Sequence, residues 1–464
     1  MQSIYDLPYL RKRACPIRDL TQGHQRHSIF LAFIEHASEY PDRIAKSAFS
    51  ARAGDGKEIV TRTHEPSVKI ILVHNAYQQP GGEDVVFEQE CGMLEQAGHE
   101  VIAYRRTNWD AEAYQRVRLV GLAKRTVWAS DSRRDFLKLL RREKPDLVHV
   151  HNTFVMISPS IYSACSQANV PVVQTLHNYR LLCLAANFFR DGKVCENCLG
   201  RSLWSGVEHA CYRQSYSASA VVAVMLTSHR LRHTWQREVS CFIALSEFAR
   251  NKFVEGGLPA DKIFVKPNFV FPDPGPRTCS GDYAVFVGRL SPRKRIDTIL
   301  AAWKRLPRSI PLHVIGDSSE REQLESEASR AGLTNVQFKG QLPREQTVEA
   351  ISRARFLVFA SEWYENFPVT IAESFACSTP VICSRLGAMQ EIVNDRHTGL
   401  HFNAADPEDL AAKVEWAWTH PQEMCAMGIQ ARSEYESKYT AEKNYPQLLE
   451  IYNRAIKHHG EPKG

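Results

Sequence analysis

Phe356-Leu-Val-Phe-Ala-Ser-Glu-Trp-Tyr-Glu-Asn-Phe-Pro-Val-Thr-Ile-Ala-Glu-Ser-Phe375 is the most informative stretch of this 464-residue chain. Its first four residues are apolar without alternation, the pattern of a strand buried on both faces. A polar and aromatic loop follows, and Pro368, with its fixed φ, suits the start of a helix expected over 368–377. The amides around Phe367, Val369 and Thr370 then project from the helix N-terminus, where the helix dipole adds to their attraction for phosphate. Glu365 stands just before this helix and Glu373 in its second turn, so the two carboxylates approach one ligand from different sides. Each offers paired acceptors for adjacent sugar hydroxyls, at Glu373 for a ribose diol. Alone, two glutamates eight apart are equally the charges of a solvated helix.

The same strand-then-helix rhythm extends both ways. Downstream of a Pro-rich break, strands are expected at 283–287, 312–315, 336–339, 356–360 and 380–383. Helices at 295–305, 320–331, 346–352, 368–377 and 407–418 lie among them. Upstream, strands at 68–73, 100–104, 147–150, 170–175 and 242–245 repeat the pattern, with a helix over 84–97 closed by Gly98. Alternating strands and helices predict α/β architecture: two doubly wound, Rossmann-like domains with parallel sheets, whose C-terminal strand ends face a shared cleft. Pro267-Asn-Phe-Val-Phe-Pro-Asp-Pro-Gly-Pro276 reads as the linker. The expected division is an N-terminal extension of unknown role at 1–66, with a helix near 28–49. A first domain follows at 67–270, a second at 271–436, and a C-terminal helix and tail at 437–464 that cross back onto the first.

Composition excludes several classes. With 44% apolar and 24% charged residues the chain is neither disordered, collagenous nor a small disulfide scaffold. Its longest apolar run, 218–226, is too short to span a bilayer, and the N-terminus lacks the order of an export signal. Twelve scattered cysteines therefore read as reduced thiols, and the expected location is the cytoplasm. The net charge of +6 is concentrated: residues 105–144 hold twelve Lys/Arg against five Asp/Glu. Tyr114, Val117, Leu119, Val120 and Leu122 interleave there with Arg116, Arg118, Lys124 and Arg125, which favours a peripheral contact with an anionic membrane over a merely solvated helical face. No nucleic-acid-binding motif accompanies the charge, so nucleic acid is excluded as a partner.

Further candidates sit at strand ends. Gly288 ends the strand at 283–287, and Arg289 and Lys294 lie on the loop beyond it, where cations can clamp a diphosphate with no metal. Arg293 and Arg295 beside them leave a solvated basic turn as an equal reading. In the first half, Gly81-Gly82 allows close backbone approach to a ligand, or forms a simple strand-to-helix turn with Glu83-Asp84 starting the helix. His177 in Thr175-Leu-His-Asn178 can donate to a sugar hydroxyl or a diphosphate oxygen. His149 and His151 are alternatives, of which alternation lets at most one face the ligand. Cys183, Cys195, Cys198 and Cys211 surround a Cys-x-x-Cys pair, as a structural zinc site or as free thiols.

Over residues 68–458 this ordered set resembles the retaining GT-B glycosyltransferases of glycosyltransferase family 4. The likeness rests on Gly81-Gly82, Gly288-Arg289-Leu290 with Lys294, and Glu365…Glu373 in the family's E-x7-E pattern. Gly387 before Glu391-Ile392-Val393, and Thr398-Gly399-Leu400 before Asp406-Pro407, also fit. The resemblance implies transfer of a sugar from a nucleotide diphosphate-sugar donor to a glycan or lipid-linked hydroxyl acceptor, with no cofactor required and no metal at the site. It implies that Arg289 and Lys294 hold the diphosphate, Glu365 and the Asn366–Phe367 backbone the sugar, Glu373 the ribose, and 339–342 the nucleobase side. With His177 these are the expected catalytic and donor-binding residues. A sugar-nucleotide epimerase or phosphorylase on the same fold, and a non-enzymatic membrane-binding protein, are the alternatives. The chain departs from the family pattern where Arg295 follows Lys294 in place of glycine, at Pro267-Asn268-Phe269, and at Glu365-Asn366-Phe367.

Overall fold

A computed structural model describes residues 67–77, 81–108, 119–277 and 281–460. The described residues from Lys69 onward belong to one compact unit. The helix expected at 28–49 and the Tyr114–Arg118 part of the basic segment lie outside the described residues.

The first sheet contains β1 (Lys69–Ala76), β2 (Glu100–Thr107), β3 (Leu147–Val150), β4 (Val172–Thr175), β7 (Cys241–Ala244) and β8 (Ile263–Val265). Their order is β2-β1-β3-β4-β7-β8 and every pairing is parallel. Two-residue strands β5 (Phe189–Arg190) and β6 (Lys193–Val194) form a separate antiparallel hairpin. The second sheet contains β9 (Ala284–Val287), β10 (Leu312–Ile315), β11 (Val336–Gly340), β12 (Phe356–Phe359), β13 (Val381–Ser384) and β14 (Gly399–Phe402). It is also parallel, in the order β11-β10-β9-β12-β13-β14. The strands read as unbroken apolar runs because helices cover both faces: Ile70, Ile71, Leu72 and Val73 are all fully buried, as are Phe356, Leu357 and Val358. Each sheet therefore has its own core, and the GT-B expectation of two doubly wound lobes holds.

Strand order fixes where a ligand can sit. In such sheets the crevice opens beyond the carboxyl ends of the strands where the order reverses, here between β1 and β3 and between β9 and β12. Gly81 and His151 follow the first pair, His177 the neighbouring β4, and Arg289 and Glu365 the second pair. Gly316, after β10, packs so tightly that a Cβ would lie 1.9 Å from the Gly288 carbonyl oxygen, so no side chain can fit beneath the loop that carries Arg289.

Two connections join the lobes. Segment 266–270 contains no regular element, as its prolines require, yet it is not a solvated linker: Lys266, Asn268, Phe269 and Val270 are buried. Val270 N–H donates to the Tyr439 carbonyl at 3.0 Å, where the chain returns. The helix Ala441–Gly460 then packs on the first sheet, as expected. Tyr452 Oη lies 2.8 Å from His149 Nδ1, and Asn444 Nδ2 donates to the Pro267 carbonyl at 2.6 Å. The preceding helix, Pro421–Lys438, was not anticipated and runs through residue 436. Its buried stripe is Met424, Met427, Gly428, Ala431 and Tyr435, in which small residues weaken the apolar signal. Gly428 packs against the Ser378 carbonyl, which a Cβ would approach to 2.3 Å.

Candidate active site

A cavity of about 490 Å³ lies between the facing strand ends. Of the expected residues, Gly81, Gly82, His177, Arg289, Glu365, Asn366, Phe367 and Val369 line it. Gly288, Lys294, Thr370 and Glu373 do not.

Arg289 follows the Gly288 turn and is exposed to the cavity, joined by Arg293 from the short helical turn Pro292–Lys294. The Arg293 guanidinium lies 5.7 Å from the centre of the Trp363 ring, another lining residue. Lys294 does not itself line the cavity but reaches Glu365, which does. Its Nζ donates to Glu365 Oε1 at 2.6 Å and sits 4.5 Å from the Phe359 ring centre. Ser361 Oγ donates to the same Oε1 at 2.7 Å, so the Oε2 oxygen of Glu365 is taken up by neither. Arg295 occupies the position where the family pattern has glycine and adopts the left-handed φ of +53°. Its donors go to Glu362 at 2.7 Å and to Asp297 at 2.9 Å, contacts that hold the strained turn.

Helix Val369–Ala376 begins at Pro368 with no side-chain cap, which leaves its first amides available to a ligand at the cavity edge. Glu373 lies one turn on, with Oε1 3.5 Å from Arg344 Nε. Burial pushes its carboxyl up and Arg344 partly offsets this. Asn366 spans the cleft: its Nδ2 donates to the Leu176 carbonyl, and its own carbonyl accepts from Ser246 Oγ at 3.2 Å. The Asn366 Oδ1 atom is buried without a partner. Glu391, from the second lobe, accepts both the Glu247 and Phe248 amides of the first lobe at 2.8 Å.

His177 is backed by a buried chain of charge. His151 Nδ1 is 2.9 Å from His177 Nε2, and His151 Nε2 is 3.3 Å from Glu90 Oε2. Glu90 Oε1 in turn accepts from Lys266 Nζ at 2.8 Å, with both residues fully buried. Burial alone would raise the Glu90 carboxyl, but Lys266 and the two histidines outweigh it and hold it well below the usual carboxylate range. Burial also pushes His151 below, and His149 and His177 well below, the ordinary imidazole value, so all three rings are neutral near pH 7. Within the His151–His177 pair one ring donates and the other accepts, and neither His151 Nε2 nor Glu90 Oε2 completes a hydrogen bond of full geometry. Neither His149 nor His151 lines the cavity; His149 is fixed between Tyr452 and Thr175, both at 2.8 Å.

Glu83 is the residue that reading the sequence as a helix start concealed. It lines the cavity beside Tyr77 and Asn178, whose Nδ2 donates to Glu83 Oε1 at 3.4 Å. Burial raises its carboxyl to about 7, with Tyr77 and His74 opposing, and its Oε2 is buried without a partner. The position was legible as the first side chain after Gly81-Gly82 at a strand end.

In the described part of the basic segment some cations are engaged, whereas Lys124, Arg134, Lys138, Arg141 and Lys144 are exposed. Arg105 pairs with Glu88 at 2.6 Å, Arg125 is buried against Asp131, and Arg133 Nε donates to Ser163. No support for membrane contact emerges, and among the described residues no helix is long and apolar enough to cross a membrane.

Two parallel doubly wound lobes facing each other across a cleft are the architecture of the GT-B glycosyltransferases. Two family models match in tandem: Glycosyltransferase Family 4 over residues 80–273 and Glycosyl transferases group 1 over 280–434. Each lobe thus carries its own glycosyltransferase match, and together the two models cover most of residues 80–434. The chain is 28% identical over 174 residues to an uncharacterised glycosyltransferase of Methanocaldococcus jannaschii, covering 37% of this chain and 48% of that one. It is 29% identical over 192 residues to O-antigen chain mannosyltransferase B of Escherichia coli, covering 37% and 48%. The chain thus spans about half the length of these relatives. Anabaena HepE, solved in complex with UDP and glucose, has the same fold, with a TM-score of 0.57 at 17% identity over 83% of this chain and 99% of that one.

Proposed function

We propose that the protein moves a sugar from a nucleoside diphosphate-sugar to a hydroxyl of a glycan or lipid-linked glycan precursor, with retained anomeric configuration. The observation carrying this reading is the convergence of Arg289, Arg293, Glu365 and His177 on one cavity between two doubly wound sheets. The name of the Escherichia coli relative supports a polysaccharide acceptor.

As the bond from the anomeric carbon to the diphosphate lengthens, negative charge gathers on the leaving phosphate. Arg289, Arg293 and the first amides of the helix at Val369 stabilise it where it develops. Glu365 accepts from donor-sugar hydroxyls through Oε2, its other oxygen fixed by Lys294 and Ser361. His177 hydrogen-bonds another sugar hydroxyl. The acceptor enters along the first-lobe wall at Tyr77 and Glu83. Attack from the face the diphosphate leaves retains the anomer, and the acceptor proton passes to the departing phosphate oxygen. Protein cations do the work of a divalent ion in this scheme, so turnover is the same with and without added magnesium.

The test is incubation with a panel of UDP-, GDP-, ADP- and dTDP-sugars, each with and without glycan acceptors. Acceptor-dependent release of nucleoside diphosphate, with the donor's anomeric configuration in the product by NMR, is expected. Interconversion of donor sugars with no acceptor, or product of inverted configuration, would overturn the proposal.

A further inference from the structure

Four of the nine cysteines described as free thiols converge on one place outside the cleft. Cys183, Cys195, Cys198 and Cys211 all line a small cavity of about 10 Å³, room for a single atom-sized guest. They arrive on separate pieces of chain. Cys183 closes a turn through its N–H to the Tyr179 carbonyl at 2.9 Å. Cys195 follows the β5–β6 hairpin, with its N–H on the Phe188 carbonyl at 2.7 Å, and Cys198 lies one turn further. Cys211 follows the short helix Trp204–Glu208, with its N–H on the Gly206 carbonyl at 2.9 Å. Cys183 and Cys198 are buried.

We infer that these four cysteines form a structural zinc site that fixes one wall of the active-site cavity. The segment between Cys183 and Cys211 has two strands of two residues and one helix of five, too little regular structure to build a core of its own. Such a loop gains order from a metal cross-link. Thiolates are the ligands zinc prefers in closed structural sites, and a hairpin followed by Cys-x-x-Cys delivers two of them from one turn. On binding, four Zn–S bonds form and four S–H protons are released to water.

The alternative cluster is less suited. Among the described residues, the donor atoms that already lie within 4.8 Å of one another are those of Glu90, His149 and His151. Lys266 Nζ sits 2.8 Å from Glu90 with no other carboxylate beside it, a fixed positive charge that opposes a metal, whereas Arg190 in the lining of the cysteine cavity is paired with Asp191 at 3.3 Å. The cysteine sulfurs are spread more widely than 4.8 Å, and an ion held at about 2.3 Å per Zn–S bond would have to draw them together.

The site bears on the cleft through the chain. Ala185, Ala186 and Asn187, between Cys183 and Cys195, line the main cavity, as does Arg213 two residues beyond Cys211. Zinc content needs no substrate, so its result is independent of the proposed transfer. Full-length protein, purified under reducing conditions without chelator, is expected to hold one zinc per chain by elemental analysis. A mercurial thiol reagent should release it. Cys195→Ser/Cys198→Ser should lose it, while Cys165→Ser retains it. Should the double variant not fold, Co²⁺ added to the metal-stripped wild type gives the second reading. Sulfur-to-metal charge transfer with tetrahedral d–d bands supports the site. Failure of stripped wild-type protein to take up one equivalent of either metal, or full zinc retention by the double variant, overturns it.

Discussion

Replacing Glu90 with glutamine leaves Lys266 charged and fully buried with only neutral partners, chiefly Asn444 Oδ1 at 2.8 Å. Removing one partner of a buried pair costs about 3–5 kcal/mol, because the remaining charge keeps its desolvation penalty and loses its compensation. Unfolding entropy near 60 °C is about 2.1 cal/mol/K per residue, so a cooperative unit of roughly 400 residues has about 0.8 kcal/mol/K. The expected fall in Tm is roughly 4–6 °C, read by calorimetry at pH 7. The cycle is completed with Lys266→Met, which removes the stranded charge at similar volume. Glu90→Gln/Lys266→Met should therefore recover most of the loss. A drop under about 1 °C in the single variant, or a double variant less stable than Glu90→Gln, would refute the claim that the pair is charged and compensated.

Arg289→Ala and Arg293→Ala should each lower turnover about 10²–10³-fold with Tm within about 1 °C, since both donors act on charge developing in the cleft; wild-type rates in both would remove the clamp. Glu83 gives a pH signature. Its folded carboxyl titrates near 7 against 4.5 unfolded, so the wild type loses stability as pH rises through that window while Glu83→Gln does not. The stability of the variant relative to wild type should rise by up to about 3 kcal/mol between pH 4.5 and 7, and a pH-independent difference would refute the assignment. Glu391→Ala removes two acceptor contacts between the lobes and should increase the radius of gyration by small-angle scattering with little change in Tm; an unchanged radius would show that these bonds do not hold the cleft shut.

The parallel lobes and their strand ends were legible because strands buried on both faces leave uninterrupted apolar runs, as at Ile70–Val73 and Phe356–Phe359. The helix Pro421–Lys438 escaped notice because Gly428 and Ala431, chosen for close approach, do not mark an apolar face. At the site, residue type and strand-end position located Arg289, His177 and Glu365. Direction was beyond reach: Lys294 and Arg293 are adjacent cations on one turn, and only the three-dimensional path of that turn sends one to Glu365 and the other to the cavity. The Glu90–His151–His177 chain was hidden for a related reason, since its members come from a helix and two strand ends far apart in sequence. Glu83 looked like an ordinary first-turn acid, and its raised carboxyl follows from walls that its neighbours in sequence do not supply.

The adjacency of the two lobe connections, tied at Val270 and Tyr439, has a mechanical corollary. Two tethers rooted at one spot behave as a single pivot, so rotation there moves the rim most and the root least. The contacts that Asn366 and Glu391 make between the lobes then open by amounts set by their distance from that pivot.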